Sequence, residues 1–218
     1  FMPRLFAENG RLLDSQGRIT LDTPEALRAL ENYRETYSYS DRTIYDFWKN
    51  ALEGFADGTA AMTVVFINYA SHILNSQMSR IAGKLGFAPV PGGKPLLGGG
   101  VIGITQSCTC PAAACKFLEW LYADLVAPVF TMLGGLSPCR SAYSNRDISE
   151  QYPWLSTARK SFPTAQRRSN STYYQNFSEL QLETILAAHV QQAVLGVCSP
   201  EEALKQAQED CNRYFQPW

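Results

Sequence analysis

The sequence has no apolar run long enough to span a bilayer, since its longest stretches, around Ala60 to Ile67 and Leu182 to Val197, are short or broken by polar residues. It also lacks an excess of either charge. Nineteen basic and twenty acidic side chains leave a net charge of -1, and the densest basic cluster is only Arg167-Arg168. That argues against the positive field that sequence-independent nucleic-acid binding needs, so no nucleic-acid partner is expected. Histidine is scarce. His72 and His189 each stand without an acid and a nucleophile at a recognisable catalytic spacing, so no enzyme is expected. There is no internal repeat and no low-complexity tract. The opening Phe1-Met2-Pro3-Arg4 shows no apolar signal-peptide core behind a basic start, and reads like a chain entered in its middle.

Cysteine is present but sparse. Six in 218 residues cannot build a disulfide scaffold, and they lean slightly towards a reducing compartment. Three of them crowd together as Cys108-Thr109-Cys110 and Cys115. A fourth soft ligand at paired spacing is missing and Pro111 opens a helix there, so neither a metal site nor a cofactor is expected. Gly98-Gly99-Gly100 precedes an apolar run instead of following a strand and opening a helix, which is the wrong order for a phosphate-cradling loop. Two readings remain for Gly99 and Gly100: a flexible connection, or close backbone approach to a ligand or hinge.

What is present suits a folded chain: 45% hydrophobic and 18% charged residues can form a sizeable core, in one large domain or two small ones. Thr23-Pro24-Glu25 places a capping hydroxyl, a first-turn proline and an acid in helix-starting order. A second helix is predicted from about Asp41 to Asp57, on the stripe Ile44, Phe47, Trp48, Ala51, Leu52 and Phe55, and Gly58 ends it. Ser199-Pro200-Glu201-Glu202 forms a complete capping box. Strands are predicted at 61–66, 85–90 and 101–104. The first and third are nearly continuous apolar runs, which suit a parallel sheet covered on both faces. The class is therefore α/β.

Aromatic and amide side chains supply the candidate ligand contacts. Tyr69 follows an apolar run, while Tyr173, Tyr174 and Phe177 stand with Gln175 and Asn176 before a long helix. Flat rings beside amides suit sugars, whose faces stack on aromatics while their hydroxyls take amide hydrogen bonds. Core packing is the competing reading, preferred for Phe177.

Phe55-Ala56-Asp57-Gly58-Thr59-Ala60-Ala61-Met62 resembles the F-x-x-G-x-x-A-M signature of the carbohydrate-type extracellular solute-binding proteins of bacterial ABC transporters. Flanking segments resemble the family in the same order: Asn9-Gly10 to Asp14, Thr23 to Leu27, Gly86 to Gly93, Gly99 to Ile104, Ala112 to Tyr122 and Gly196 to Leu204. This collinear series covers almost the whole chain. The resemblance implies a fold like that of the type II periplasmic-binding proteins, whose two lobes close on a ligand, with mainly the C-terminal lobe here. Residues 1–97 and 140–218 would form that lobe, and 98–139 would return to the N-terminal lobe. Where the family often has a glycine and a sugar-stacking tryptophan, this chain reads Val65-Phe66-Ile67-Asn68-Tyr69, so Asn68 and Tyr69 occupy the matching region.

The implied function is solute binding for an ABC importer, with a carbohydrate or similar polar solute as ligand and permease subunits as partners. The complete protein would be extracellular or periplasmic and membrane-anchored as a lipoprotein. A ligand sensor of the same fold attached to a transcriptional regulator, in the cytoplasm, is the rival. With its family sheet absent, the 98–139 segment is expected to self-associate or rearrange.

Overall fold

The computed structural model describes residues 1–40, 48–144, 148, 150, 152–167 and 169–218. The chain separates into two compact units: Phe1–Arg42, Val90–Gly98 and Thr164–Trp218 form one, Thr43–Pro89 and Gly99–Pro163 the other.

In the first unit, helix α1 (Met2–Ala7) packs on α2 (Pro24–Tyr37). The start of α2 forms as the sequence predicts, because the Thr23 hydroxyl accepts from the Ala26 backbone N–H at 3.2 Å and Pro24 occupies the first helical position. The last two helices of this unit are α9 (Glu179–Val194) and α10 (Pro200–Tyr214). These pack on each other and on α2. Helix α10 opens with the predicted capping box, the Ser199 hydroxyl accepting from the Glu202 N–H and the Glu202 carboxylate from the Ser199 N–H. Leu5, Leu21, Leu30, Leu182, Leu204 and Phe215 are almost wholly buried in this unit's core. Each such side chain contributes about 1.5–3 kcal/mol through its removal from water.

The second unit holds α3 (Trp48–Ala56), α4 (Ala70–Leu74), α5 (Pro111–Leu121), α6 (Ala127–Met132), α7 (Ser141–Ser144) and α8 (Pro153–Ser161). The predicted helix over 41–57 is described only from Trp48, and Ile44 and Phe47 of its stripe lie outside the described residues. Gly58 ends it at φ +82°, a left-handed conformation that glycine adopts without strain. The core gathers around the fully buried Trp154 and Leu155, with Ala70, Ala127, Ala142, Tyr143 and Ala158. Burial pushes the Tyr143 phenol up, and its hydroxyl donates to the Ser137 carbonyl at 2.9 Å.

The expected strands are corrected. Residues 61–66, 85–90 and 101–104 form no ladder, and Met62, Val64, Phe66, Val101 and Ile102 are exposed instead of covered on both faces. Among the described residues the ladder found is a short parallel pair, β1 (Leu96–Leu97) with β2 (Gln166–Arg167), within the first unit. A strand needs a neighbour offering backbone donors and acceptors, and no described segment forms a ladder or bridge with these three. An apolar run alone does not supply one.

Candidate functional site

Asn68 and Tyr69 lie in the second unit, in a single 3₁₀ turn (Ile67–Tyr69) that runs straight into α4. Ala70, buried at the start of α4, anchors the turn in the core and leaves Asn68 and Tyr69 half-buried. The Ser71 hydroxyl donates to the Asn68 carbonyl at 3.3 Å. The loop after α6 meets this turn closely: a Cβ on Gly134 would lie 2.2 Å from Ser71 Oγ, and Gly134 holds φ +97°. Only glycine satisfies both demands. Ser71 and Gly134 were not among the residues the sequence singled out, although the Gly134-Gly135 pair was a turn signal in plain view.

Gly99 and Gly100 belong to the same unit and are exposed, with nothing within 4 Å of where a Cβ would stand. Their backbone is open to approach.

Tyr173, Tyr174 and Gln175 belong to the first unit. Tyr173 is 37% exposed and packs edge-on against the Tyr174 ring, at 5.0 Å between centroids. Tyr174 is turned inward. It is 7% exposed, its hydroxyl accepts from the Ile19 backbone N–H at 2.9 Å, and its ring meets Phe177 and Phe215. Phe177, half-buried against the same core, sits where the core reading put it. The Gln175 side-chain amide donates to the Pro217 carbonyl at 3.1 Å, and its backbone N–H donates to the Gln216 carbonyl. Asn176 does similar work, donating to the Tyr214 carbonyl and accepting from the Gln216 N–H. These amides clasp the C-terminal residues against the Tyr173 segment, and Trp218 N–H completes the clasp on the Tyr173 carbonyl.

His189 has the acidic neighbour that its sequence surroundings concealed. Its Nε2 lies 2.8 Å from an Asp210 carboxylate oxygen across the α9–α10 contact, while Arg213 holds the other oxygen at 2.6 Å. The pair ties the two helices together.

All six cysteines are unpaired, with Cys110 and Cys115 exposed and Cys211 buried. Among the described residues no three His, Cys, Asp or Glu side chains gather as metal ligands would. Likewise, no described helix is long and apolar enough to cross a membrane.

The family described as bacterial extracellular solute-binding protein matches residues 4–157. The chain belongs to that family. Among solved structures it is similar to a maltose-bound MalE3 of T. maritima, at 22% identity and TM-score 0.79, over 97% of this chain and 56% of that one. A solute-binding protein of Agrobacterium radiobacter K84, in complex with ribitol, matches at 23% identity and TM-score 0.73, over 98% of this chain and 55% of that one. One from Thermotoga lettingae TMO, bound with α-D-tagatose, matches at 26% identity and TM-score 0.72, over 96% and 54%. The chain thus has the fold of type II periplasmic-binding proteins and spans just over half the length of these structures, in a portion where helices predominate. The ribitol- and tagatose-bound structures are solute-binding proteins of ABC transporters.

Proposed function

We propose that the chain is part of the solute-binding component of an ABC importer and serves to capture a carbohydrate or polyol. The observation that carries this reading is the match of nearly the whole chain to sugar- and polyol-bound structures at TM-scores up to 0.79. Residues 1–97 and 140–218 are proposed to contribute to the C-terminal lobe of the complete protein, and 98–139 to the N-terminal lobe. Binding would work by stabilising the closed arrangement of the lobes, since only a ligand contacted more extensively in that state can shift the equilibrium towards it.

Asn68, Tyr69, Tyr173 and the open backbone at Gly99 and Gly100 are the proposed contacts. Tyr173 offers an exposed ring for stacking, and Asn68 an amide for hydroxyl groups. Tyr174 and Gln175 act one step back, because their polar groups already hold Ile19 and the C-terminal segment in place around Tyr173. The protein is proposed to be non-enzymatic, to deliver its solute to permease subunits, and to work outside the cytoplasm as an anchored lipoprotein. The family match favours transport over a regulator-linked sensor.

Calorimetry on the full-length protein carrying this chain, with maltose, ribitol, mannitol and tagatose as probes, tests the reading. At least one should bind and raise the melting temperature by mass action. Tyr173→Ala or Asn68→Ala should weaken that binding by about tenfold, the loss of one stacking or hydrogen-bonding contact. Absence of binding by the whole panel, or full affinity in both variants, would overturn it.

A further inference from the structure

Ser71 and Gly134 are not among the contacts proposed above, yet both bear on Asn68. The Ser71 hydroxyl donates to the Asn68 carbonyl at 3.3 Å. The point where a Gly134 Cβ would stand lies 2.2 Å from Ser71 Oγ, 2.8 Å from Ser71 Cβ and 3.6 Å from that carbonyl.

Both sides of this contact are braced. Ala70 and Ile73 of α4 are buried in the core directly after the Asn68–Tyr69 turn. Across from them, the Gly134 N–H donates to the Thr131 carbonyl and the Gly135 N–H to the Phe130 carbonyl, each at 3.0 Å, which closes the end of α6. Thr131 is wholly buried there, and further along the loop the Tyr143 hydroxyl holds the Ser137 carbonyl. Turn and loop lie in one compact unit, so the contact is complete without the additional length of the solved relatives. Gly134 also stands near the end of the 98–139 segment, where the chain returns to the C-terminal lobe in the arrangement proposed above.

We propose that Ser71 and Gly134 are positioning residues for solute binding, which hold the Asn68–Tyr69 turn in its binding shape before a solute arrives. This rests on the assignment of Asn68 and Tyr69 as solute contacts. A methyl group at 134 leaves the turn two responses, and each costs affinity. Rotating the Ser71 hydroxyl away relieves the closest contact but breaks its bond to the Asn68 carbonyl. Keeping that bond drives the turn away from the loop, because closely packed interiors leave no slack for the overlap. In both cases part of the binding free energy goes into restoring the turn, where the parent protein has it preorganised.

Calorimetry on the full-length protein carrying this chain, with maltose, ribitol, mannitol and tagatose as probes, provides the test, and urea denaturation shows which variants are folded. For a probe that binds, Gly134→Ala should weaken affinity about tenfold through the loss of preorganisation. Ser71→Ala should weaken it roughly two- to tenfold, the worth of one hydrogen bond. Adding Ser71→Gly to Gly134→Ala should restore part of the loss by removing the overlap. In an Asn68→Ala background Gly134→Ala should matter clearly less, since both changes act on one turn. Ser199→Ala, which uncaps α10 and lowers stability away from this turn, should leave affinity unchanged. If Gly134→Ala does not fold, Ser71→Ala carries the test alone.

A parent protein that binds a probe and loses affinity in Asn68→Ala, but not in Gly134→Ala or Ser71→Ala, would overturn the positioning role and leave the solute reading intact. An equal loss in Ser199→Ala, or an undiminished effect of Gly134→Ala beside Asn68→Ala, would overturn it as well. Failure of the parent to bind any probe would instead overturn the solute reading, and this proposal with it.

Discussion

The Tyr174 hydroxyl accepts a hydrogen bond from the backbone N–H of Ile19, 155 positions earlier in the chain, at 2.9 Å in a buried setting. Tyr174→Phe would keep the ring among Phe177 and Phe215 but leave that N–H without an acceptor. Because a buried unsatisfied donor costs about 1–3 kcal/mol, the variant should lose stability in that range in urea denaturation. Unchanged stability would show that the bond adds nothing net.

Gly134 should tolerate no side chain. Alanine there must adopt a left-handed backbone and push against Ser71, so Gly134→Ala is expected to cost about 1–3 kcal/mol. Adding Ser71→Gly should recover the part due to the clash and leave the part due to the backbone. Equal stability of the single variant and the parent would show that neither the backbone nor the approach to Ser71 demands glycine at 134.

The thiols should react in a fixed order. Cys110 and Cys115 are exposed and are expected to label first with a thiol reagent. Cys211 should label only on unfolding, since burial, aided by the Asp210 carboxylate, pushes its pKa up to about 12. Mass spectrometry after brief labelling under native conditions reads the order directly, and early modification of Cys211 would contradict the packing of α10.

Asp14 should titrate below the ordinary carboxylate range. The Arg18 backbone N–H bonded to its carboxylate is the largest cause, followed by the Arg18 guanidinium and the Gln16 N–H. Its folded-state pKa is depressed, so the bonds of the 14–18 turn are in place at neutral pH and are lost as pH falls through that depressed value. An NMR titration following the Asp14 carboxyl and the amides of Gln16 and Arg18 checks this. A midpoint at or above the usual carboxylate value would refute it.

What could be read from the sequence was local. The starts of α2 and α10 were legible because a cap is a relation between residues three apart, as Thr23 with Ala26 and Ser199 with Glu202 show. The strands were misread at 61–66, 85–90 and 101–104 because pairing depends on another segment, which hydrophobic periodicity does not reveal. The same limit applies at the candidate site. Tyr173 and Tyr174 are adjacent and chemically alike, yet one presents its ring to solvent while the other is claimed by Ile19. Gln175 donates its side-chain amide to the Pro217 carbonyl, a partner 42 positions away that the sequence does not reveal. His189 seemed solitary because Asp210 reaches it from another helix.

The clasp between 173–176 and 214–218 turns the α9–α10 hairpin into a ring closed without a covalent bond. A closed ring restricts the chain much as a crosslink does, so α10 cannot fray from its C-terminal end until the Asn176 and Gln175 amides let go. Hydrogen exchange at the amides of the last turn of α10 should therefore be slow, and Asn176→Ala should speed it. The polar pair that resembled a sugar-binding feature in the sequence works here as a latch on the tail.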